Sequence, residues 1–201
     1  MKKILHILLN ILIASAIVFG SLFLLFFGSY EWIETDIAKY SDNLHGIGSA
    51  ERMMPTLESL GHYTELEYTY KIHCYSIFVG FVSDGYVLNV TYDESQYEQR
   101  KADALSSYTF LQEPIIEQDG DSPMPVTELK YKGYTLKVVP DDTQYTYYPC
   151  KSFMMVGFND EEHKIVYLYH YDFDLDYIAA VDEDPEEEMI QLIEDAFAWI
   201  E

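Results

Sequence analysis

Histidine and aspartate recur at every second position of the stretch YLYHYDFDLDYI, Tyr167 to Ile178, placing His170, Asp172, Asp174 and Asp176 in one row. Three chemical readings suit that row. A histidine beside a carboxylate can act as a general base held by its orienting acid, which would make a metal- or His-dependent hydrolase around His170 and Asp172. Carboxylates two residues apart on a strand stand ~6.7 Å apart, so Asp172 and Asp174 could share one hard cation. Their oxygen donors favour Ca2+ over zinc. In a loop, Asp172, Asp174 and Asp176 would take positions 1, 3 and 5 of an EF-hand, with Glu183 at position 12. That pattern breaks at Tyr177, where a glycine is needed for the sharp turn, and at Ala179, where a larger apolar residue is usual. The third reading needs no ligand. Tyr167, Tyr169, Tyr171, Phe173, Leu175 and Tyr177 occupy the alternate positions, as in a strand with one buried face and one wet face. The aromatic alternation is the stronger signal, so the strand is the primary reading. The metal candidates are Asp172, Asp174 and Asp176, with Ca2+ as the possible cofactor.

Other chemistry is sparse. The chain holds no Gly-x-Ser-x-Gly, His-Glu-x-x-His, P-loop or dinucleotide fingerprint. No catalytic residue is assigned, and the enzyme reading is the weaker one. Cys74 and Cys150 are the only thiols; their spacing makes no metal site, and whether they are bridged depends on a Cα separation the sequence does not give. The 19 tyrosines, many alternating on expected strands as in Tyr68/Tyr70 and Tyr145/Tyr147, suggest either a glycan-stacking surface or ordinary β packing with hydroxyls at the rim, and the second is preferred. Asn89-Val90-Thr91 is a glycosylation sequon inside an expected strand and is set aside.

The elements that would position these residues follow from periodicity. Leu66 to Cys74 alternates as a strand, a second apolar run spans Ile77 to Val82, and Ser83-Asp84-Gly85 is read as the hairpin turn between that run and the alternating strand Tyr86 to Tyr92. Asp93 caps a helix, with Gln96 as capping-box partner, that ends near Tyr108. Residues 112–125 form a loop. Strands at Val126–Tyr131 and Tyr134–Val139 flank Lys132-Gly133, and strands at Phe153–Phe158 and Ile165–Tyr171 flank Asn159 to Glu162. A last helix starts at Asp184-Pro185, with Ile190, Ile193, Phe197 and Ile200 as its apolar stripe. The expected fold class is α+β: an N-terminal transmembrane helix, then one mostly antiparallel sheet with helices packed on one face.

The N-terminus differs from the rest. Residues Ile4 to Phe27 hold no charged group. As a helix this run is about 36 Å long, enough to cross a hydrocarbon core of about 30 Å. A cleaved signal peptide fits less well, because a cut at Ala14-Ser15-Ala16 would leave a bare apolar terminus. Lys2 and Lys3 precede the run and acids follow it, which orients the N-terminus to the cytoplasm. The division read from sequence is a cytoplasmic tip (1–3), an anchor (4–27), a helical stalk and connector (28–62) resting on the spacing of Ile33, Ile37 and Tyr40, and an extracytoplasmic domain (63–201). Tyr30 and Trp32 sit where the chain leaves the bilayer.

All 35 Asp and Glu, and all but two of the 12 Lys and Arg, lie after residue 30. Such an acidic field excludes nucleic acid as a partner and keeps an exposed domain soluble. The sum of these readings is a single-pass membrane protein of a bacterial cell envelope. It carries an extracytoplasmic module that binds an unidentified ligand, with a membrane or envelope protein as the possible partner, rather than converting a substrate. The first alternative is a Ca2+-dependent surface module, and the second is the hydrolase.

Overall fold

The structure is a computed structural model that describes residues 2–27, 29–76, 81–115, 124–141, 152–172 and 184–199. Its centre is one seven-stranded sheet in the order β1-β2-β3-β7-β6-β5-β4, antiparallel at every junction. The strands are β1 (Tyr30–Glu34), β2 (Glu65–Ser76), β3 (Phe81–Thr91), β4 (Glu128–Tyr131), β5 (Tyr134–Pro140), β6 (Ser152–Asn159) and β7 (Lys164–Asp172). Two meanders, β1-β2-β3 and β4-β5-β6-β7, join where β7 returns beside β3. Short turns join β4 to β5 and β6 to β7, whereas residues 35–64 lie between the paired strands β1 and β2. Lys132 and Gly133 both take positive φ at the β4–β5 turn, as a type I′ hairpin requires.

The helices are α1 (Lys2–Phe27), α2 (Tyr40–Leu44), α3 (Ala50–Met53), α4 (Glu94–Ser107) and α5 (Pro185–Ala196). The fold is therefore α+β, but the helices do not share one face of the sheet. On one face, α2, α3 and α4 pack over Tyr68, Tyr86, Leu88, Val156, Tyr167 and Tyr169. On the other, Met189, Leu192, Ile193 and Ala196 of α5 cover Val87, Leu136, Met155, Val166 and Leu168. The reason is in the strands: β6 and β7 are apolar at odd and even positions alike, so both faces need cover. The acid-rich start of α5 is capped by Asp184, whose Oδ1 accepts from Glu186 N at 3.1 Å and Glu187 N at 3.3 Å. Its buried residues at spacings of three and four form one stripe.

Residues 30–62 are not a helical stalk. Tyr30–Glu34 is the edge strand of the sheet, pairing with β2 from Tyr30↔Cys74 to Glu34↔Tyr70. The segment after it folds back into the core, burying Tyr40, Leu44, Met53, Met54 and Leu60. The helical spacing of Ile33, Ile37 and Tyr40 arises across a strand, a single 3-10 turn (Ile37–Lys39) and the start of α2. Asp84-Gly85 is not a hairpin turn either. Both residues lie inside β3, paired with β2 on one side and β7 on the other. Gly85 is there because the C-terminal end of α5 comes down on it: a Cβ at this position would overlap the Ala196 carbonyl oxygen.

The α1 backbone is helical from Lys2 to Phe27. Among the described residues no helix is long and apolar enough to cross a membrane.

Candidate functional site

One end of the sheet collects the polar groups. Register places Tyr30, Ser76, Phe81, Pro140, Ser152 and Asp172 at that end, where the chain enters or leaves each strand. Successive side chains then divide between the two faces.

On the α5 face stand the residues that the sequence singled out. His170 lies between Gly85 of β3 and Phe153 of β6, and Asp172 lies opposite Ser83. Neither is solvated: His170 is 0% exposed and Asp172 1%. The wet acidic face expected for this strand is thus a buried one within β7. The His170 ring sits 5.5 Å from Phe153 and 6.0 Å from Phe197, between the sheet and the chain leaving α5. Burial pushes its pKa down to about 4, and only its hydrogen bond to the Asp84 backbone carbonyl opposes that shift. At neutral pH the imidazole is uncharged. A general base needs to reach a substrate proton, and this ring meets apolar rings instead. Asp174 and Asp176 lie outside the described residues, so only Asp172 of the proposed triplet is placed. Among the described residues no three His, Cys, Asp or Glu side chains assemble as a metal site.

On the opposite face the same strand ends carry a row that sequence reasoning missed. Asp84, Tyr171 and Ser152 are neighbours across β3, β7 and β6. Asp84 is buried, accepts from the Tyr70 hydroxyl at 2.6 Å, and has its carboxyl pushed above the usual range by burial. Ser152 donates to Asp141 Oδ2 at 2.7 Å, while Arg52 of α3 donates to Asp141 Oδ1 at 2.8 Å. This ion pair, buried at Asp141 and half exposed at Arg52, ties the 37–62 segment to β5 and β6. Above it, Ser49 N donates to the Tyr169 hydroxyl at 2.8 Å. Gly48 approaches so closely that a Cβ would stand 2.6 Å from that oxygen.

The tyrosines continue the stitching. Tyr70 and Tyr86 stack with ring centroids 4.4 Å apart, and Tyr169 follows 6.0 Å from Tyr86. Hydroxyls of Tyr40, Tyr86 and Tyr108 donate to the carbonyls of Pro55, Asn43 and Met53 at 2.7, 2.8 and 3.1 Å. Burial raises the pKa of all three. Asn43 and Met53 lie at the C-terminal ends of the short helices α2 and α3 and Pro55 follows α3, so these hydroxyls satisfy carbonyls without intrahelical partners. They are thereby committed to the protein rather than offered to a glycan.

The sequence signal for this row was weak, because Asp84 reads as a turn and Asp141 as loop. Cys74 is half-buried on β2, and Cys150 lies outside the described residues. The sequon asparagine is also engaged: Asn89 donates to Glu67 Oε2 at 2.9 Å and accepts from the Tyr134 hydroxyl at 2.9 Å.

Most described cations meet acids in the same way, as in Lys39–Glu34, Lys71–Glu31, Lys101–Asp160, Lys137–Glu128 and Lys164–Glu162. With 12 cations against 35 acids, the excess surface charge is negative.

No known protein family matches this chain, and neither a curated protein nor a solved structure shows significant similarity to it.

Proposed function

We propose that the chain is a single-pass, membrane-anchored binding module of the cell envelope. The N-terminus lies in the cytoplasm and the α+β domain outside, engaging a membrane or envelope protein without chemical conversion. The observation that carries this reading is the exposure of α1. Its side chains, Ile11, Leu12, Ile17, Val18, Phe19 and Phe23 among them, stand open, and none contributes to either core. Each large apolar side chain left in water forgoes about 1.5–3 kcal/mol. A bilayer removes that cost and, over the full Lys2–Phe27 helix, matches its length. Lys2 and Lys3 favour the cytoplasmic side. The binding reading rests on the polar groups at the sheet end, which are buried and committed to holding the fold.

In membranes prepared from expressing cells, the full chain stays with the bilayer through alkaline carbonate extraction. Leu12→Lys combined with Phe19→Lys releases it, since each lysine at mid-helix costs about 2.5–3.5 kcal/mol of insertion. Full release of the unsubstituted chain would sink the anchor.

A Ca2+-dependent module using Asp172, Asp174 and Asp176 is the second reading. What favours it is that β7 ends on a buried carboxylate with the other two next in sequence. It requires the domain to melt at a higher temperature in millimolar Ca2+ than in EDTA, and coincident melts would remove it.

A further inference from the structure

The edge strand β1 is built unlike any other strand of the sheet. Trp32 is 53% exposed, Ile33 50% and Tyr30 42%. Tyr30 and Trp32 share the face of Tyr70, while Ile33 lies on the opposite face with Lys71, so apolar groups project to both sides. Sheet order leaves the outer edge of β1 with no strand neighbour among the described residues. In water, a bare edge carrying exposed tryptophan and isoleucine invites aggregation, and soluble domains blunt such edges with charge or proline.

Three observations say what covers it. First, β1 begins three residues after α1 ends, so whatever surrounds the end of α1 lies within about 10 Å of Tyr30. Second, tryptophan and tyrosine are the side chains that partition to the headgroup level, with the ring at the apolar boundary and the polar atom in water. Third, the charges are compatible with that depth. Glu31 pairs with Lys71 at 3.1 Å and Glu34 with Lys39, so the strand brings no unneutralised acid to the lipid. The hydrocarbon itself is excluded, because outer-edge N–H and C=O groups would find no partner there, whereas the headgroup layer holds water.

We propose that β1 is seated in the headgroup layer of the bilayer. The domain is then clamped through its sheet rather than tethered on a flexible stalk, with the strand ends at Ser76, Pro140, Ser152 and Asp172 toward the lipid. The inference rests on α1 being the anchor, and the experiment separates the two. The chain has two tryptophans, Trp32 and Trp199. Trp199 packs between Tyr131 and Tyr134 on the α5 face, at 5.4 and 5.7 Å.

Full-length Trp199→Phe protein is reconstituted in phosphatidylcholine vesicles brominated either near the glycerol end or near the methyl end of the acyl chain. Flotation is measured on the same samples. The expected result is co-flotation, Trp32 emission quenched more by the shallow bromine than by the deep one, and weak quenching by acrylamide. Trp32→Ser in the otherwise unaltered chain loses the bromine-dependent quenching, which covers the case in which Trp199→Phe misfolds. Co-flotation with acrylamide-accessible, bromine-insensitive Trp32 overturns the seating and leaves the anchor standing. Shielding from both quenchers, with β1–β1 cross-links between copies, overturns it in favour of strand pairing with a second copy. Failure to float removes the anchor and the seating together.

Discussion

Tyr86 and Val87 are neighbours in β3 that point to opposite faces of the sheet, and the two faces bury them by different means. Around Tyr86 the cover is largely irregular: a 3-10 turn, two helices of one turn each, and their connections, with α4 as the one longer helix on the same face. Short helices leave most of their carbonyls without intrahelical donors, so this face needs side chains that are both large and able to donate, and it uses tyrosine. Around Val87 the cover is the single helix α5, which satisfies its own backbone except at its end. That face is mostly aliphatic around Val87, with His170 and Asp172 buried toward one end of it, and two side chains of β2 hold the end of α5. Thr69 donates to the Ala198 carbonyl at 2.5 Å, and Lys71 donates to the Asp195 carbonyl at 2.8 Å. A tyrosine-rich composition thus reports the irregularity of what it packs against.

The comparison breaks most visibly at Gly85. An alanine there drives a methyl into the Ala196 carbonyl oxygen, a backbone atom that moves only if α5 moves. Gly85→Ala is expected to cost about 3 kcal/mol, the upper end for overpacking, read as a lower denaturation midpoint. An unchanged midpoint would mean that α5 is not held against β3.

Acid separates the faces next. The folded pKa of His170 is lowered to about 4, so its contribution is fully present above the unfolded value near 6.5 and is lost as pH falls toward 4. From pH 7 to pH 5 the loss is about 2 kcal/mol. Asp84, on the tyrosine face, runs the other way. Its raised carboxyl contributes stability that is complete below the unfolded pKa and is lost as pH rises through the folded one. Asp84→Asn isolates the histidine effect, and His170→Phe, which fits between Phe153 and Phe197, abolishes it. Stability measured by denaturant at pH 7 and pH 5 checks both. Equal pH dependence with and without His170 would show that the ring is not buried in solution.

These two residues also mark how far the sequence could be read. The hairpins at Lys132-Gly133 and Asn159 to Glu162, the helix beginning after Asp93 and the Asp184-Pro185 start of α5 were legible, because each rests on local chemistry: turn conformation, cap position or a proline at the first helical residue. Asp93 does cap α4 by position, although its side chain makes no capping bond. What failed depended on long-range contact. Asp84-Gly85 has turn composition, and nothing local announces that Tyr70 binds the carboxyl or that α5 arrives from over 100 residues away. Edge strand β1 is five residues long and exposed on both faces, so it carries no alternation to detect. The His170 face carried a usable signal: Val166 and Leu168 share its parity and are apolar. Continued upstream, the alternation shows a face that needs cover, and the apolar stripe of α5 is its complement.

The smallest effect tests the comparison most closely, because it changes one atom on each face. Tyr86→Phe keeps the stack on Tyr70 and removes only the hydroxyl that donates to the Asn43 carbonyl at 2.8 Å. That carbonyl belongs to α2, a five-residue helix, and the bond is partly buried. The expected loss is about 1–2 kcal/mol, the cost of leaving a buried acceptor unsatisfied. Tyr134→Phe removes the corresponding hydroxyl on the α5 face. There the partner is Asn89 Oδ1, a side chain at the rim whose amide remains bound to Glu67 and whose oxygen can turn to water. Its loss should stay near 0.5 kcal/mol, the low end for a hydrogen bond that solvent replaces. Chemical denaturation of the two single variants and the double variant measures both and their independence. If the two losses are equal, the tyrosine hydroxyls are not what seals the irregular face, and aromatic packing alone must hold residues 37–62 on the sheet.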